Sequence, residues 1–247
     1  MAKKPKVWKT TCKRYVAFMD IMGFRDKVFR ESHDDIKKMF TNLRPAFKSL
    51  EKETKRLMYE KKSEIINKNI HPTLFPVKFS DSIILFSSDD TSFSASYTLL
   101  NTLLIMYQAI RDGIPIKGAL AFGEVTAEIN ESLYFGKPII DAYELQNELK
   151  LYGVILHHTF EKRLKEMGKE FILSSELLKE YPVPMKSGII NHRLIDWTIV
   201  TEKSITHTKL VANLYNYVSG KPRIYVDNTL EFVREVLKRK RKKKPLK

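Results

Sequence analysis

Apolar runs with the short period of β-strands alternate along this chain with stretches of helical period. The run Arg14–Ile21 is apolar enough to lie centrally in a sheet, carries a single carboxylate at Asp20, and breaks at Gly23. A second apolar run, Leu74–Phe86, is typical of a β-hairpin whose turn holds Ser80 and Asp81. The pattern therefore predicts one mixed α/β (α+β) domain.

The same pattern predicts the other elements. Ser32-His-Asp-Asp35 predicts a helix cap before an amphipathic stretch to about Lys62, which Pro45 breaks or kinks. The other predicted helices open at Phe24 or span Ser92–Arg111, Lys137–Leu149, Thr159–Met167 and Thr229–Lys240. The other predicted strands are Ile116–Val125 (irregular or bulged at its glycines), Gly153–Leu156 and an edge strand His192–Val200 around Trp197. The predicted irregular segments are the loop Asn67–Pro76, a last turn at Glu176–Tyr181 and the loop Pro182–Gly188.

The length of 247 residues suits one large domain, or a domain with an appendage. We expect a basic N-terminal extension (1–13), a main domain (14–200), an appendage with a final helix (201–237) and a basic tail (238–247). The formal charge of +15 is concentrated at the two ends of the chain, and basic ends of this kind are typical of solvated tails. A nucleic-acid partner is not expected, because basic residues interleaved with exposed aromatics on a structured face are missing from the pattern.

Cysteine content and hydropathy bear on the compartment. Cys12 is the only cysteine, so no disulfide framework is expected and a reducing cytoplasm is favoured. The N-terminus lacks the apolar segment of a signal peptide. The longest apolar helix is interrupted by polar residues, so no membrane span is expected.

Asp20 and Asp81 each lie among apolar residues where a strand turns or ends. Burying a carboxylate is costly unless something compensates its charge. Two such acids favour a shared divalent cation, and oxygen ligands without a nearby His or Cys favour Mg²⁺ or Mn²⁺ over zinc. The alternative is that each aspartate caps a helix or stabilises a turn.

Five segments, taken in order, resemble the motifs of class III nucleotide cyclases. They are Asp20-Ile-Met-Gly-Phe24, Phe79-Ser-Asp-Ser82, Lys117-Gly-Ala-Leu-Ala-Phe-Gly-Glu-Val125, Gly136–Leu145 and Val183-Pro-Met-Lys-Ser-Gly188. The resemblance covers about residues 14–200. It implies a ferredoxin-like core sheet flanked by helices, and an active site formed between the two subunits of a homodimer.

The resemblance also implies the reaction and the roles of the residues. The ribose 3′-hydroxyl of a nucleoside triphosphate attacks the α-phosphate and pyrophosphate leaves. Asp20 and Asp81, with the Ile21 carbonyl, are expected to hold two Mg²⁺ or Mn²⁺ ions per site. Backbone N–H groups at Met22, Gly23 and Phe24 are expected to hold phosphates. Two lysines are further triphosphate candidates: Lys117, where the family has an arginine, and Lys186.

The chain departs from purine cyclases in the other half of the site. Leu133 stands where the family has its purine-selecting Asp, and Val77 where it has its base-contacting Lys. Ile140 and Glu144 replace the transition-state Asn and Arg. The pattern resembles the pyrimidine cyclases of bacterial Pycsar anti-phage systems, which make cyclic UMP or cyclic CMP. The base-reading group is not identified, and Lys78 is one candidate.

Two main hypotheses remain open at this stage, and a third, weaker one, a nucleic-acid-binding protein, rests on the basic tail alone. The first is a cytoplasmic pyrimidine cyclase that uses UTP or CTP and signals to an effector that the sequence does not identify. The second is a catalytically inactive, cyclase-like module that binds or senses a nucleotide. The order of the motifs and the retained aspartate pair favour the first.

Overall fold

The strand β1 lies near the middle of a single eight-stranded sheet, with helices packed against it. The computed structural model describes residues 8–43, 74–168, 177–200 and 206–242. The predicted Pro45 break, the end of the amphipathic stretch near Lys62 and most of the predicted loop Asn67–Pro76 lie outside these ranges. The fold class is mixed α/β, as the sequence predicts.

The strands are β1 Thr11–Ile21, β2 Leu74–Phe79, β3 Ser82–Ser87, β4 Ile116–Glu128, β5 Leu133–Phe135, β6 Val154–Leu156, β7 Leu178–Met185 and β8 Gly188–Ile195. They lie across the sheet in the order β2-β3-β1-β4-β6-β8-β7, with β5 paired to β4. Among the strands of the described ranges, only the β4–β6 pair is parallel.

Seven α-helices and two 3₁₀ turns are found in the described ranges. The helices are α1 Phe24–Arg30, α2 His33–Asn42, α3 Ser92–Arg111, α4 Lys137–Glu148, α5 His158–Met167, α6 His207–Asn213 and α7 Arg223–Lys242. The 3₁₀ turns are Trp197–Ile199 and Leu214–Tyr217. Ser32 caps α2 by accepting the Asp35 N–H, as predicted, and Thr91 caps α3 in the same way from Ser94.

The first four strands have the ferredoxin-like arrangement that the sequence predicts. They occur along the chain as β-α-β-β-α-β and lie in space as β2-β3-β1-β4, each antiparallel to its neighbours. The pairing of β1 with β4 runs without a bulge from Thr11 opposite Thr126 to Ile21 opposite Ile116. The expected bulge is therefore wrong, while the expected irregularity is confirmed at Gly123, whose φ of 157° is one that other residues rarely adopt. Gly118 instead permits close packing, because a Cβ there would lie 2.6 Å from the Phe18 carbonyl oxygen.

Successive side chains of β1 point alternately to the two faces of the sheet. Phe18 and Asp20 lie on one face, where the ring of Tyr143 from α4 contacts Phe18. Tyr15 lies on the other face, where it contacts Phe160 of α5. Helix α3 contacts four strands of the sheet and has fourteen buried residues, of which nine belong to the hydrophobic core.

The segment after residue 176 differs most from the prediction. The predicted loop Pro182–Gly188 is instead the end of β7 and a tight turn into β8. Proline is tolerated in β7 because this strand forms the edge of the sheet. The predicted edge strand around Trp197 is wrong as well: β8 lies inside the sheet and ends at Ile195, and the Trp197 side chain is fully buried in a 3₁₀ turn.

Two of the expected boundaries between segments of the chain fall inside secondary-structure elements. Thr11–Lys13 belong to β1 rather than to a loose extension, because they pair with β4. The boundary expected between an appendage and a basic tail, at residues 237 and 238, lies inside α7, which runs to Lys242. Val226, Phe232 and Val236 of α7 belong to the same hydrophobic core as the sheet. None of the helices in the described ranges is both long and apolar enough to cross a bilayer.

One ion pair between a buried carboxylate and a partly exposed lysine holds the end of α7 against the 3₁₀ turn Trp197–Ile199. The Asp196 carboxylate is completely buried, and its Oδ1 accepts hydrogen bonds from the N–H and hydroxyl of Thr198. Lys240 Nζ lies 3.1 Å from Asp196 Oδ2 and donates to Thr198 Oγ1 at 2.8 Å. Lys240 is therefore part of the fold rather than of a solvated tail.

Removing the Lys240 charge should destabilise the protein, because it leaves the Asp196 carboxylate buried without a counter-charge. We expect Lys240→Met to lower the free energy of unfolding by about 1–3 kcal/mol, measured by urea denaturation. Lys238→Met changes an exposed lysine of the same helix and should have no effect. Adding Asp196→Asn to Lys240→Met should restore most of the loss, and a Lys240→Met protein as stable as wild type would contradict the assignment.

Candidate active site

The two aspartates singled out from the sequence meet at one corner of the sheet. Asp20 is the penultimate residue of β1, and Asp81 lies in the two-residue turn between β2 and β3. The Ile21 N–H donates to the Asp81 carbonyl oxygen at 2.9 Å, which ties the turn to the end of β1. Ser80 has a φ of 54°, so the turn is tight and Asp81 is held close to β1.

Strand register places a polar row across this face of the sheet. Ser82 and Lys117 are the direct neighbours of Asp20 on β3 and β4, and Phe79 is the neighbour of Ser82 on β2. Directly opposed residues point to the same face, so these four side chains follow one line across four strands. The row ends at Phe79, whose side chain is 79% exposed.

The electrostatics of this corner favour a bound cation. Burial raises the pKa of the Asp20 carboxyl, and the nearby charge of Asp81 raises it further, while Lys117 lowers it. Two carboxylates that repel each other in a half-buried site are stabilised by a positive ion between them. The corner therefore has the charge distribution expected of a divalent metal site.

Lys117 is an unusual lysine because only 3% of it is exposed. Burial lowers the pKa of its ammonium group, Asp20 and Glu148 raise it, and Lys186 lowers it. The β7–β8 turn that carries Lys186 is held beside the end of α4, since the Lys186 N–H donates to the Glu148 carbonyl oxygen at 2.7 Å. The structure thus brings both predicted triphosphate lysines to the same side of the site.

The backbone around Gly23 matches its expected role in part. Gly23 has a φ of 73°, which favours glycine, and it begins helix α1 without a side-chain cap. The Met22 N–H already donates to the Pro115 carbonyl oxygen at 2.8 Å, so Met22 does not offer the free donor expected of it. The N–H groups of Gly23, the N-cap, and Phe24, the first residue of α1, lie where backbone donors lack intrahelical partners.

Strand register defines the place of Lys78 in the sheet. It is opposed to Ile83, which is opposed to Met19, so its side chain lies on the face opposite to Asp20. Lys78 Nζ donates to the Phe40 carbonyl oxygen at 3.2 Å and lies 5.7 Å from the Phe40 ring. These contacts attach β2 to the end of α2, apart from the Asp20 corner of the same chain, and the role of Lys78 as a base reader stays a prediction.

The positions that depart from purine cyclases are apolar or exposed in the structure. Val77 packs beside the buried cluster of Val16 and Phe86, on the Asp20 face. Ile140 lies on the outer side of α4 and is 57% exposed, and Glu144 of the same helix is also exposed. Leu133 is 47% exposed at the start of β5. Sequence analysis missed Phe79 and Glu148, although counting two residues back from Asp81 would have placed Phe79 near the site.

The residues present fit a divalent cation that is shared with a substrate. Within the described ranges, no three His, Cys, Asp or Glu side chains are grouped closely enough to form a complete metal site. Mg²⁺ is commonly held by one or two carboxylates, together with waters and substrate phosphate oxygens. Asp20 and Asp81 supply that number of carboxylates, and the Ile21 carbonyl lies at the same strand end.

Comparisons with known proteins show similarity in structure only. No protein family's sequence profile matches the chain, and no curated protein matches it. The guanylate cyclase domain of RhGC from Catenaria anguillulae, solved with GTP, is 14% identical over 74% of this chain and 95% of that one, with a TM-score of 0.49. The catalytic core of a rhodopsin-guanylyl cyclase with converted specificity, solved with ATPαS, is 16% identical over 76% and 98%, with a TM-score of 0.48. A bacterial light-regulated adenylyl cyclase is 8% identical over 85% and 100%, also with a TM-score of 0.48.

Metal should stabilise the wild-type protein through Asp20. At roughly 100 times its Kd, Mn²⁺ should raise the free energy of unfolding by about 2.7 kcal/mol, measured by urea denaturation with and without EDTA. Asp20→Asn should abolish this gain and, in EDTA, should be at least as stable as wild type because the repulsion with Asp81 is removed. Asp34→Asn, an exposed acid of α2, should keep the full response, and an unchanged response in Asp20→Asn would contradict the metal site.

Proposed function

We propose that this protein is a divalent-metal-dependent nucleotide cyclase that converts UTP or CTP to the 3′,5′-cyclic monophosphate and pyrophosphate. The observation that carries the proposal is the meeting of Asp20 and Asp81 at one strand end, with Lys117 on the same face. This corner joins a paired carboxylate site to a buried ammonium group. Phosphoryl transfer requires such a combination, since metal ions and cations must balance a highly charged substrate.

In the proposed mechanism, Asp20, Asp81 and the Ile21 carbonyl would hold two Mg²⁺ or Mn²⁺ ions, which would lower the pKa of the 3′-hydroxyl and neutralise the charge that develops on the pyrophosphate. The ribose 3′-oxygen forms a bond to the α-phosphorus, the bond from the α-phosphorus to the bridging oxygen of the β-phosphate breaks, and the hydroxyl proton passes to solvent water. Lys117 and Lys186 bind the triphosphate as point charges, and Gly23 with Phe24 supplies backbone donors.

The choice of a pyrimidine follows from what the site lacks. A purine pocket needs groups that bond to the edge of adenine or guanine, and Val77 and Leu133 offer none. A base donor or acceptor that is buried without a partner costs about 1–3 kcal/mol. A smaller base also suits positions that carry bulky side chains, such as Leu133 and Tyr134. The residue that reads the uracil or cytosine edge stays unassigned.

A homodimer with active sites at its interface is part of the proposal. Three large apolar side chains are exposed on the Asp20 side of the sheet, namely Phe79 at 79%, Ile140 at 57% and Tyr143 at 50%. Ile140 and Tyr143 are one helical turn apart on α4 and form a continuous apolar surface. A second copy of the chain would cover this surface and bring its own residues to the nucleotide.

The biological role proposed for the product is that of a second messenger in bacterial anti-phage defence. This role depends on the motif resemblance described above and on the pyrimidine preference. It would require an effector that recognises cyclic UMP or cyclic CMP.

One observation favours a second candidate function, a nucleotide-binding module without turnover. Ile140 and Glu144 stand at the positions of the transition-state residues, and neither can donate a hydrogen bond to a phosphate at neutral pH. Such a module would keep metal-dependent binding of the triphosphate and would form no product. Measuring binding and turnover in the same preparation distinguishes the two functions.

Removing either metal-binding acid should abolish cyclisation. In the presence of saturating Mn²⁺, Asp20→Asn and Asp81→Asn should each lower kcat by more than about 100-fold, because indirect changes around metal ligands already cost 10–100-fold. Asp34→Asn serves as the control and should retain full activity. Cyclic product is measured by chromatography and mass spectrometry, and near-wild-type activity in either variant would contradict the assignment.

A pyrimidine nucleotide should be the preferred substrate. In a mixture of equal concentrations of ATP, GTP, CTP and UTP, we expect cyclic UMP or cyclic CMP to exceed the purine products by roughly 10–100-fold. Cyclic AMP or cyclic GMP as the main product would exclude the pyrimidine preference and keep the cyclase. Metal-dependent UTP or CTP binding without any cyclic product would favour the binding module.

A further inference from the structure

Helix α5 begins at a histidine that acts as its N-cap. His157 Nδ1 lies 2.9 Å from Thr159 Oγ1 and accepts the Thr159 N–H over a longer distance of 3.5 Å. Thr159 Oγ1 in turn accepts the backbone N–H of Phe122 on β4 at 3.1 Å. The Thr159 hydroxyl proton is then free to point at His157 Nδ1. The contact from the Thr159 N–H requires Nδ1 to be an acceptor. In that state the ring is neutral, and the Thr159 hydroxyl is the donor in the shorter contact.

The same nitrogen also faces a carboxylate of another helix. Asp141 Oδ2 of α4 lies 3.8 Å from His157 Nδ1, too far for a hydrogen bond in the neutral state. Asp141 Oδ1 is bound by Lys137 Nζ at 2.5 Å. The side chains of His157 and Asp141 are only 16% and 10% exposed, so water competes weakly for either of them.

We propose that protonation of His157 exchanges its partners: Nδ1 stops accepting from Thr159 and donates to Asp141, so α5 loses its cap while α4 and α5 gain an ion pair. The proton comes from solvent and binds at Nδ1, and no bond between heavy atoms changes. The exchange is possible because Thr159 Oγ1 at 2.9 Å and Asp141 Oδ2 at 3.8 Å both lie near the same ring nitrogen. The hydrogen bond that caps α5 is then replaced by a charge-assisted hydrogen bond between His157 and Asp141.

The surrounding groups set the pH at which this exchange occurs. Burial lowers the pKa of His157, Asp141 raises it, and His158, Lys137 and His192 lower it. His158 is the adjacent residue with its ring centroid 4.0 Å away, Lys137 belongs to α4, and His192 belongs to β8. The net effect is a pKa of His157 below its ordinary value of 6.5. The neutral ring, which caps α5, is therefore present at neutral pH, and the charged ring forms in acid.

The direction in which stability changes with pH follows from the difference between the His157 pKa values of the folded and the unfolded chain. Above pH 6.5 both the folded and the unfolded chain hold His157 neutral, and the cap contributes fully. As the pH falls below 6.5, the unfolded chain takes up the proton first, so stability is lost until the pH passes the lower pKa of the folded state. Each unit of difference between the two pKa values corresponds to about a tenfold change in the folding equilibrium.

The switch lies at the wall of a cavity of about 510 Å³ behind α4, which Asp141, Thr159 and Phe122 help to line. The opposite side of α4 carries the exposed Ile140 and Tyr143. An ion pair between His157 and Asp141 that forms in acid would therefore attach α4 to α5 on the side of α4 that does not carry Ile140 and Tyr143. This inference concerns the free chain and does not depend on cyclase activity.

The exchange can be followed by NMR on the full-length protein labelled with ¹⁵N and with ¹³C-histidine. Between pH 7.5 and pH 5, we expect the His157 ring to titrate with a midpoint below 6.5, and the Thr159 amide to shift with the same midpoint. Asp141→Asn should lower that midpoint further, because it removes the anion that favours the charged ring. A Thr159 amide that stays constant through the His157 titration would overturn the proposal, as would a midpoint that Asp141→Asn leaves unchanged or raises.

A second variant separates the switch from a simple loss of the cap. Asparagine is a good N-cap and does not titrate, so His157→Asn should keep α5 capped at every pH. Its free energy of unfolding relative to wild type should therefore rise as the pH is lowered from 7.5 to 5, with a change centred below pH 6.5. A difference between the two proteins that is constant across this range would overturn the proposal even if both fold normally.

Discussion

The antiparallel pairing of β1 with both of its neighbours is the constraint on which the site depends. The register fixes Ser82, Asp20 and Lys117 side by side on one face, and a single backbone bond from Ile21 to the Asp81 carbonyl fixes the turn beside them. A shift of one residue in either pairing would turn Asp20 into the opposite face and separate the two carboxylates. The close approach that Gly118 permits, with no Cβ to meet the Phe18 carbonyl oxygen, helps to hold this register.

The same constraint explains why the charges coexist. Asp20 and Asp81 repel each other, and Lys117 would be costly to bury alone, yet Asp20 and Lys117 lie close enough for each to favour the charge of the other. A bound cation would offset the repulsion between the two carboxylates. A structural role alone, such as the capping of a helix, would not require two acids and a buried lysine on one face. That is why a metal site explains this corner better than a turn or a cap does.

The sequence predicted the elements around this corner because their patterns are local. The apolar run of β1, the hairpin turn at Ser80 and the long helix α3 each carry their own signal, and the first four strands have the predicted ferredoxin-like order. The β7–β8 hairpin was missed because Pro182 and Pro184 argue against a strand unless that strand is known to be an edge. The role of Lys240 was missed because its partner Asp196 is 44 residues away in sequence, which a composition-based interpretation of the basic end cannot reveal. The face of the sheet that Lys78 occupies could not be predicted for a related reason, since only the register shows it.

The central claim is that Asp20 and Asp81 together hold a divalent cation at the nucleotide. The most direct test is a crystal grown with Mn²⁺ and 3′-deoxy-UTP, which lacks the attacking hydroxyl, with anomalous diffraction recorded at the manganese edge. The account predicts an anomalous peak within about 2.5 Å of carboxylate oxygens from both aspartates and of a phosphate oxygen. A bound nucleotide whose manganese lies elsewhere, or contacts neither aspartate, would contradict it.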